Sequence, residues 1–175
     1  MLRKSALRFR ARPTPAPVVN GQESVWDYPR PAVLRANQRH LLVRCDGEVL
    51  AESRGGFQVL ETSHPPTYYF PLADVRQDWL VSVQGGGSIC EWKGAASYFD
   101  VVTGTSRRPR ACWTYHQPSA PFERLQGHVA FYAVSMDACF VDDDVVIPQP
   151  GAFYGGWITR HVAGPFKGQP GSECW

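Results

Sequence analysis

Residues 89–99, ICEWKGAASYF, place a thiol (Cys90), a carboxylate (Glu91), an indole (Trp92), an amine (Lys93) and a phenol (Tyr98) in one short run. An amine there would hold an anionic ligand group or, if desolvated, act as a base or nucleophile. A thiol beside a cation ionises readily and attacks electrophiles. If the run is a strand, alternation puts Cys90 and Trp92 on one face and Glu91 and Lys93 on the other. The lining face then chooses between thiol and amine chemistry. Upstream, Glu61 shares a strand face with Phe57 and Val59, and the TYYF run supplies Tyr68 and Tyr69. The expected site is therefore a pocket with Lys93, Glu61 and Cys90 as reactive groups and Tyr68, Tyr69, Trp92, Tyr98 and Trp113 as ligand-binding rings. Mixed apolar walls with a few convergent polar groups are the usual make-up of a small-molecule site.

Each of these residues also has a plain structural role open to it. Glu61 and Lys93 would form a strand-to-strand ion pair worth about 0–1 kcal/mol at a surface. Cys90 would fill core as a small hydrophobe, and Trp92, Tyr98, Trp113 and Tyr115 would be sheet aromatics. His64 and His116 stand beside Pro65 and Gln117-Pro118 in loops, where a histidine can carry protons near neutral pH.

The elements that must position these groups are short. Residues 40–45 (HLLVRC), Asp46-Gly47 and residues 48–53 (EVLAES) read as two strands about a two-residue turn, because Asp-Gly supplies the positive φ angles such a turn demands. Residues 57–62, 67–70, 79–83, 89–93, 97–102, 111–115 and 129–134 read as further strands. Pro71 opens one helical turn through residues 72–75. Asp142, Asp143 and Asp144 sit at the tip of one more hairpin, expected to be a solvated turn and not a calcium loop, which would space its oxygens at alternate positions. Many short strands with little helical periodicity predict a mostly β domain of antiparallel strands, rolled barrel-like or sandwiched. The aromatic segment from residue 148 to 175 is expected to brace that sheet.

With 175 residues, 43% apolar and 13% aromatic, the chain can bury one substantial core. The first twelve residues carry Arg3, Lys4, Arg8, Arg10 and Arg12 and no acid; the remaining 13 basic residues face 16 acids, a balance of −3. Residues 1–22 are expected to be a basic disordered leader and residues 23–175 a single domain. A mildly acidic body gives no electrostatic case for a nucleic-acid partner. No apolar run approaches the length of a membrane helix. Five cysteines without a Cys-x-x-Cys pair favour a reducing, cytoplasmic setting. The histidines show no metal-ligand spacing, so neither metal nor cofactor is expected.

The strings ESVWDYPRP, VLETSHPPTYYFPLADV, CEWKGAASYFDVV, GHVAFY, MDACFVDDDVV and PQPGAFYGGWIT resemble, in order and spacing, the bacterial family catalogued as domain of unknown function 427. The resemblance covers residues 23–175 and implies a compact, mostly β domain of unassigned activity. Some members carry a nucleotidyltransferase label. That chemistry pairs a Gly-Ser turn with closely spaced acids holding magnesium; here Gly87-Ser88 has only Asp100 within plausible reach. The expected function is a small-molecule-binding protein or modest enzyme whose ligand carries an anionic group. The alternative is a structural or interaction module whose aromatic surface at residues 154–157 recruits a partner or a second copy.

Overall fold

The computed structural model describes residues 12–175. Two antiparallel sheets carry the molecule. In the larger one the strands run in the order Val33–Ala36, Phe57–Leu60, Thr67–Pro71, His128–Phe131, Arg107–Thr114, Gly94–Val102 and Leu80–Ser82, with Ser88–Cys90 folded back onto Gly94–Val102. The smaller sheet orders Asp144–Val145, Ala138–Val141, Leu41–Cys45 and Glu48–Ser53. Neither sheet closes on itself, so of the two expected arrangements the structure is the sandwich and not the barrel.

The Asp-Gly hairpin forms where the sequence puts it. Asp46 and Gly47 take φ of 50° and 77°, and the flanking strands pair Cys45 with Glu48. Pro71 leads into a single 3-10 turn at Leu72–Asp74. The apolar run expected to extend to residue 134 stops as a strand at Phe131 and continues as a 3-10 turn at Ala133–Ser135.

Side-chain alternation gives the larger sheet two buried faces. Tyr68, Phe70, Val101, Val129 and Phe131 meet Leu41, Val43 and Leu50 of the smaller sheet in the main core. Their neighbours Phe57, Val59, Tyr69, Tyr98, Trp113 and Tyr115 point the other way, into a second cluster capped by Phe122 and Leu125 of the 3-10 segment Ala120–Leu125. That second face carries the candidate site.

The chain before the first long strand is anchored by aromatic side chains, as Trp26 and Tyr28 are both buried. Trp26 Nε1 donates to the Pro165 carbonyl at 2.9 Å, and Glu23–Ser24 pairs in parallel with Val162–Ala163. Of the expected leader, residues 1–11 lie outside the described residues. The remainder runs along the body: Arg12 donates to the Trp26 carbonyl at 3.0 Å, and the Ala16 amide donates to Gly164 at 2.8 Å.

The three consecutive acids are bonded, which differs from a freely solvated turn. Asp142 accepts from Arg39 and from the His40 amide, while Asp143 and Asp144 both accept from Arg160. Among the described residues no helix is long and apolar enough to cross a membrane.

Candidate functional site

A cavity of about 430 Å³ opens on the second face of the larger sheet. Its floor is sheet, with Val59, Tyr69, Tyr98, Trp113 and Tyr115 projecting from four strands of the larger sheet or their ends. One wall is the hairpin through residues 88–93. The opposite wall is the turn at His64 and Pro65 together with Gln149, Phe153, Tyr154 and Lys167 of the C-terminal segment.

The strand expected through residue 93 ends at Cys90, and Glu91, Trp92 and Lys93 form the turn that returns the chain to Gly94–Val102. Gly94, at φ 94°, takes a backbone conformation that a side chain would strain. Strict alternation therefore does not apply. Cys90, Glu91, Trp92 and Lys93 all line the same cavity. The choice between a thiol face and an amine face, natural for a strand, does not arise in a turn. Ser119 fixes this turn, its amide donating to the Lys93 carbonyl at 3.1 Å and its hydroxyl to the Trp92 carbonyl.

Glu61, one residue past its strand, also lines the cavity, but it does not pair with Lys93. It accepts from Trp92 Nε1 at 3.1 Å and lies 3.9 Å from Arg30 Nε. Arg30 also reaches Glu91 at 3.6 Å and stacks over the Trp92 ring. Both cavity carboxylates are thus engaged by one guanidinium. Lys93 is in none of the ion pairs among the described residues; its ammonium sits 5.8 Å from the ring centres of Tyr115 and Phe122.

The phenols of the floor form an ordered set. Trp113 Nε1 donates to the Tyr69 hydroxyl at 3.3 Å, and the Tyr98 hydroxyl pairs with Ser88 Oγ at 2.6 Å. Burial pushes the Tyr69 and Tyr115 phenols well above their ordinary value, so both stay protonated. The Cys90 thiol lines the same cavity as the Tyr115 phenol and is partly exposed. Of the expected ring set, Tyr69, Trp92, Tyr98 and Trp113 line the cavity. Tyr68 does not: it is buried between the sheets, 5.4 Å from the Trp157 ring centre. Adjacent residues of one strand cannot share a face.

Arg30, His64, Gln149, Tyr154 and Lys167 complete the cavity and were absent from the expected site. His64, a loop histidine beside Pro65, packs its ring against Tyr154 at 5.0 Å and takes a hydrogen bond from Gln149 at 3.0 Å. Burial, reinforced by Lys167, Arg30 and Lys93 and opposed by Glu61, lowers its pKa to about 4. Lys167 is turned to the backbone oxygen of Trp175 at 2.5 Å. Trp157, expected on an aromatic recruiting surface, is instead in the main core, its Nε1 donating to Phe131 at 3.0 Å.

A family model described as Domain of unknown function (DUF427), with the label NTP_transf_9, matches residues 33–142. No curated protein matches the chain. The residues do not supply the closely spaced acids that would hold magnesium for the nucleotidyl transfer suggested by that label. Among the described residues no three of His, Cys, Asp and Glu stand together as a metal site. Asp100 accepts from Arg107 and from the Arg110 amide and does not line the cavity.

Proposed function

Because the chain belongs to the DUF427 family, whose description names no activity, we propose its function from the cavity: it binds a small anionic molecule with an aromatic or otherwise flat body. The observation that carries this reading is the Lys93 ammonium, which lies in an aromatic-lined hollow while both nearby carboxylates are held by Arg30. A cation without a counterion in a partly desolvated site favours an anionic ligand. The surrounding rings offer large, rigid apolar area at low entropic cost. Cys90, within the same hollow, is placed to meet an electrophilic substituent of such a ligand, which extends the reading from binding to modest catalysis.

Replacing Lys93 by Met keeps the length of the stem and removes the charge. A charge-assisted hydrogen bond contributes roughly 1.5–3 kcal/mol, so affinity for a simple aromatic carboxylate such as phenylacetate should fall by about ten- to a hundredfold. The melting temperature should stay within about 2 °C of wild type, since no ion pair is broken. Equal affinity in the variant by isothermal titration calorimetry defeats the assignment.

A further inference from the structure

The protonation of His64 follows from main-chain groups whose roles are unambiguous. The Gly156 amide can only donate, and it reaches Gln149 Oε1 at 3.1 Å. The Lys167 carbonyl can only accept, and it takes Gln149 Nε2 at 2.9 Å. These two contacts fix which end of the buried Gln149 amide is which. The second hydrogen on Nε2 is then directed at His64 Nδ1, 3.0 Å away. His64 Nδ1 must present a lone pair, and the proton of the neutral ring sits on Nε2. A proton on Nδ1 would set two donors against each other.

The clamp is tight. A Cβ at Gly156 would stand 2.4 Å from Gln149 Oε1 and 2.7 Å from the Pro65 carbonyl, so this loop approaches as closely as only glycine permits. Glu61, Lys93, Arg30 and Lys167 are the charges that act on the His64 ring, and Tyr154 covers its side. Three of the four charges are positive and oppose a further proton.

His64 Nε2 itself has no protein acceptor among the described residues. Neither is it sealed, since the buried polar side-chain atoms lacking a partner are Ser63 Oγ and His161 Nε2. It belongs to a residue that lines the cavity, and it is the one ring nitrogen left to meet a ligand.

We propose that His64 is a dedicated neutral hydrogen-bond donor, and that the cavity takes an aromatic carboxylate bearing a second, uncharged acceptor oxygen such as a keto group. This rests on the Lys93 reading above. The carboxylate goes to Lys93, the neutral oxygen to His64 Nε2–H, and the ring between the aromatic walls. Lys93 supplies the charge, which leaves a neutral imidazole to select for a neutral oxygen. With Nδ1 held by Gln149 and Nε2 protonated, His64 has no free lone pair and does not serve as a general base. Gln149 is a positioning residue for it.

Two measurements test the proposal. Nitrogen-15 NMR of the histidine rings should show His64 with a protonated Nε2 and an unprotonated Nδ1 from pH 5.5 to 8. A wild-type ring protonated at Nδ1, or one titrating near 6.5, overturns the proposal whatever the folding of any variant. The second measurement compares benzoylformate with phenylacetate, which differ by the keto oxygen, in calorimetric titrations. Wild-type protein should prefer benzoylformate about tenfold, the effect of about one net hydrogen bond. His64→Phe should reduce that preference to within about twofold, and Lys93→Met should weaken both acids. If His64→Phe keeps the preference, the donor assignment is wrong and the Lys93 reading stands. If neither acid binds wild-type protein at millimolar concentration, or Lys93→Met binds both normally, the Lys93 reading falls and takes the proposal with it.

Discussion

Gly155→Ala would put a single methyl group against the Trp113 indole on the floor of the cavity. An ideal Cβ at this position lies 2.2 Å from Trp113 Cη2, 2.9 Å from Cζ3 and 3.1 Å from Cζ2. The indole cannot yield. Its strand is paired on both sides, with Trp113 opposite Ala130 and Tyr98, its Nε1 is bonded to Tyr69, and Tyr132 lies against it at 4.5 Å. The loop must move instead, which strains the Gly156 contact to Gln149. Overpacking of this kind costs about 1–3 kcal/mol. For a chain of this size each kcal/mol corresponds to about 2–4 °C in Tm, so a drop of about 2–12 °C is expected in calorimetry. Trp113→Phe removes the outer ring atoms that the methyl meets, at its own cost in packing. In the double variant the two costs should therefore fall short of additivity by about 1 kcal/mol or more. A Gly155→Ala protein melting within about 1 °C of wild type, or strict additivity in the pair, would refute the close approach of loop and indole.

Acid stability should report on His64. Its pKa of about 4 in the folded protein lies below the ordinary 6.5, so between those values the unfolded chain binds more protons and stability falls as the pH falls. The loss is absent above about pH 6.5, grows as the pH falls through the window, and reaches about 3 kcal/mol by pH 4. Urea midpoints for wild type and His64→Gln should diverge through that window and run parallel above it; parallel curves throughout would show that the ring is not held neutral. Thiol labelling should separate the cysteines by burial, with Cys174 reacting first, Cys90 more slowly, and Cys45, Cys112 and Cys139 only on unfolding. Labelling of Cys112 or Cys139 in the native protein at the rate of Cys174 would contradict the described core, where burial also pushes both thiols up.

Local chemistry made parts of the fold readable. Asp46-Gly47 demands left-handed backbone wherever it sits, and the Asp142 turn, at φ 56°, follows from the apolar residues on either side of it. Period-two alternation placed Glu61 with Val59 on the cavity side. The same rule misled at Glu91 to Lys93, because a strand and the turn that ends it look alike over three residues. Tyr68 and Tyr69 had to face opposite ways, yet the larger sheet is covered on both faces, so hydrophobicity could not say which of them met the cavity. His64 and Gln149 are 85 residues apart and join through backbone atoms of Gly156 and Lys167. Side-chain identity carries no trace of such a contact. The Lys93–Glu61 pairing failed for a similar reason, since Arg30, in a proline-flanked segment, reached the carboxylate from outside the sheet.

The cavity is assembled from two sources. Tyr69, Lys93 and Trp113 fall in the stretch matched by the family model, whereas Arg30 precedes it and Gln149, Phe153, Tyr154 and Lys167 follow it. On the function proposed above, swapping the flanks between relatives with the central scaffold untouched would exchange the fixture that orients the histidine while keeping the proposed anion anchor, so that one parent would set the charge contact and the other the selection for a neutral oxygen.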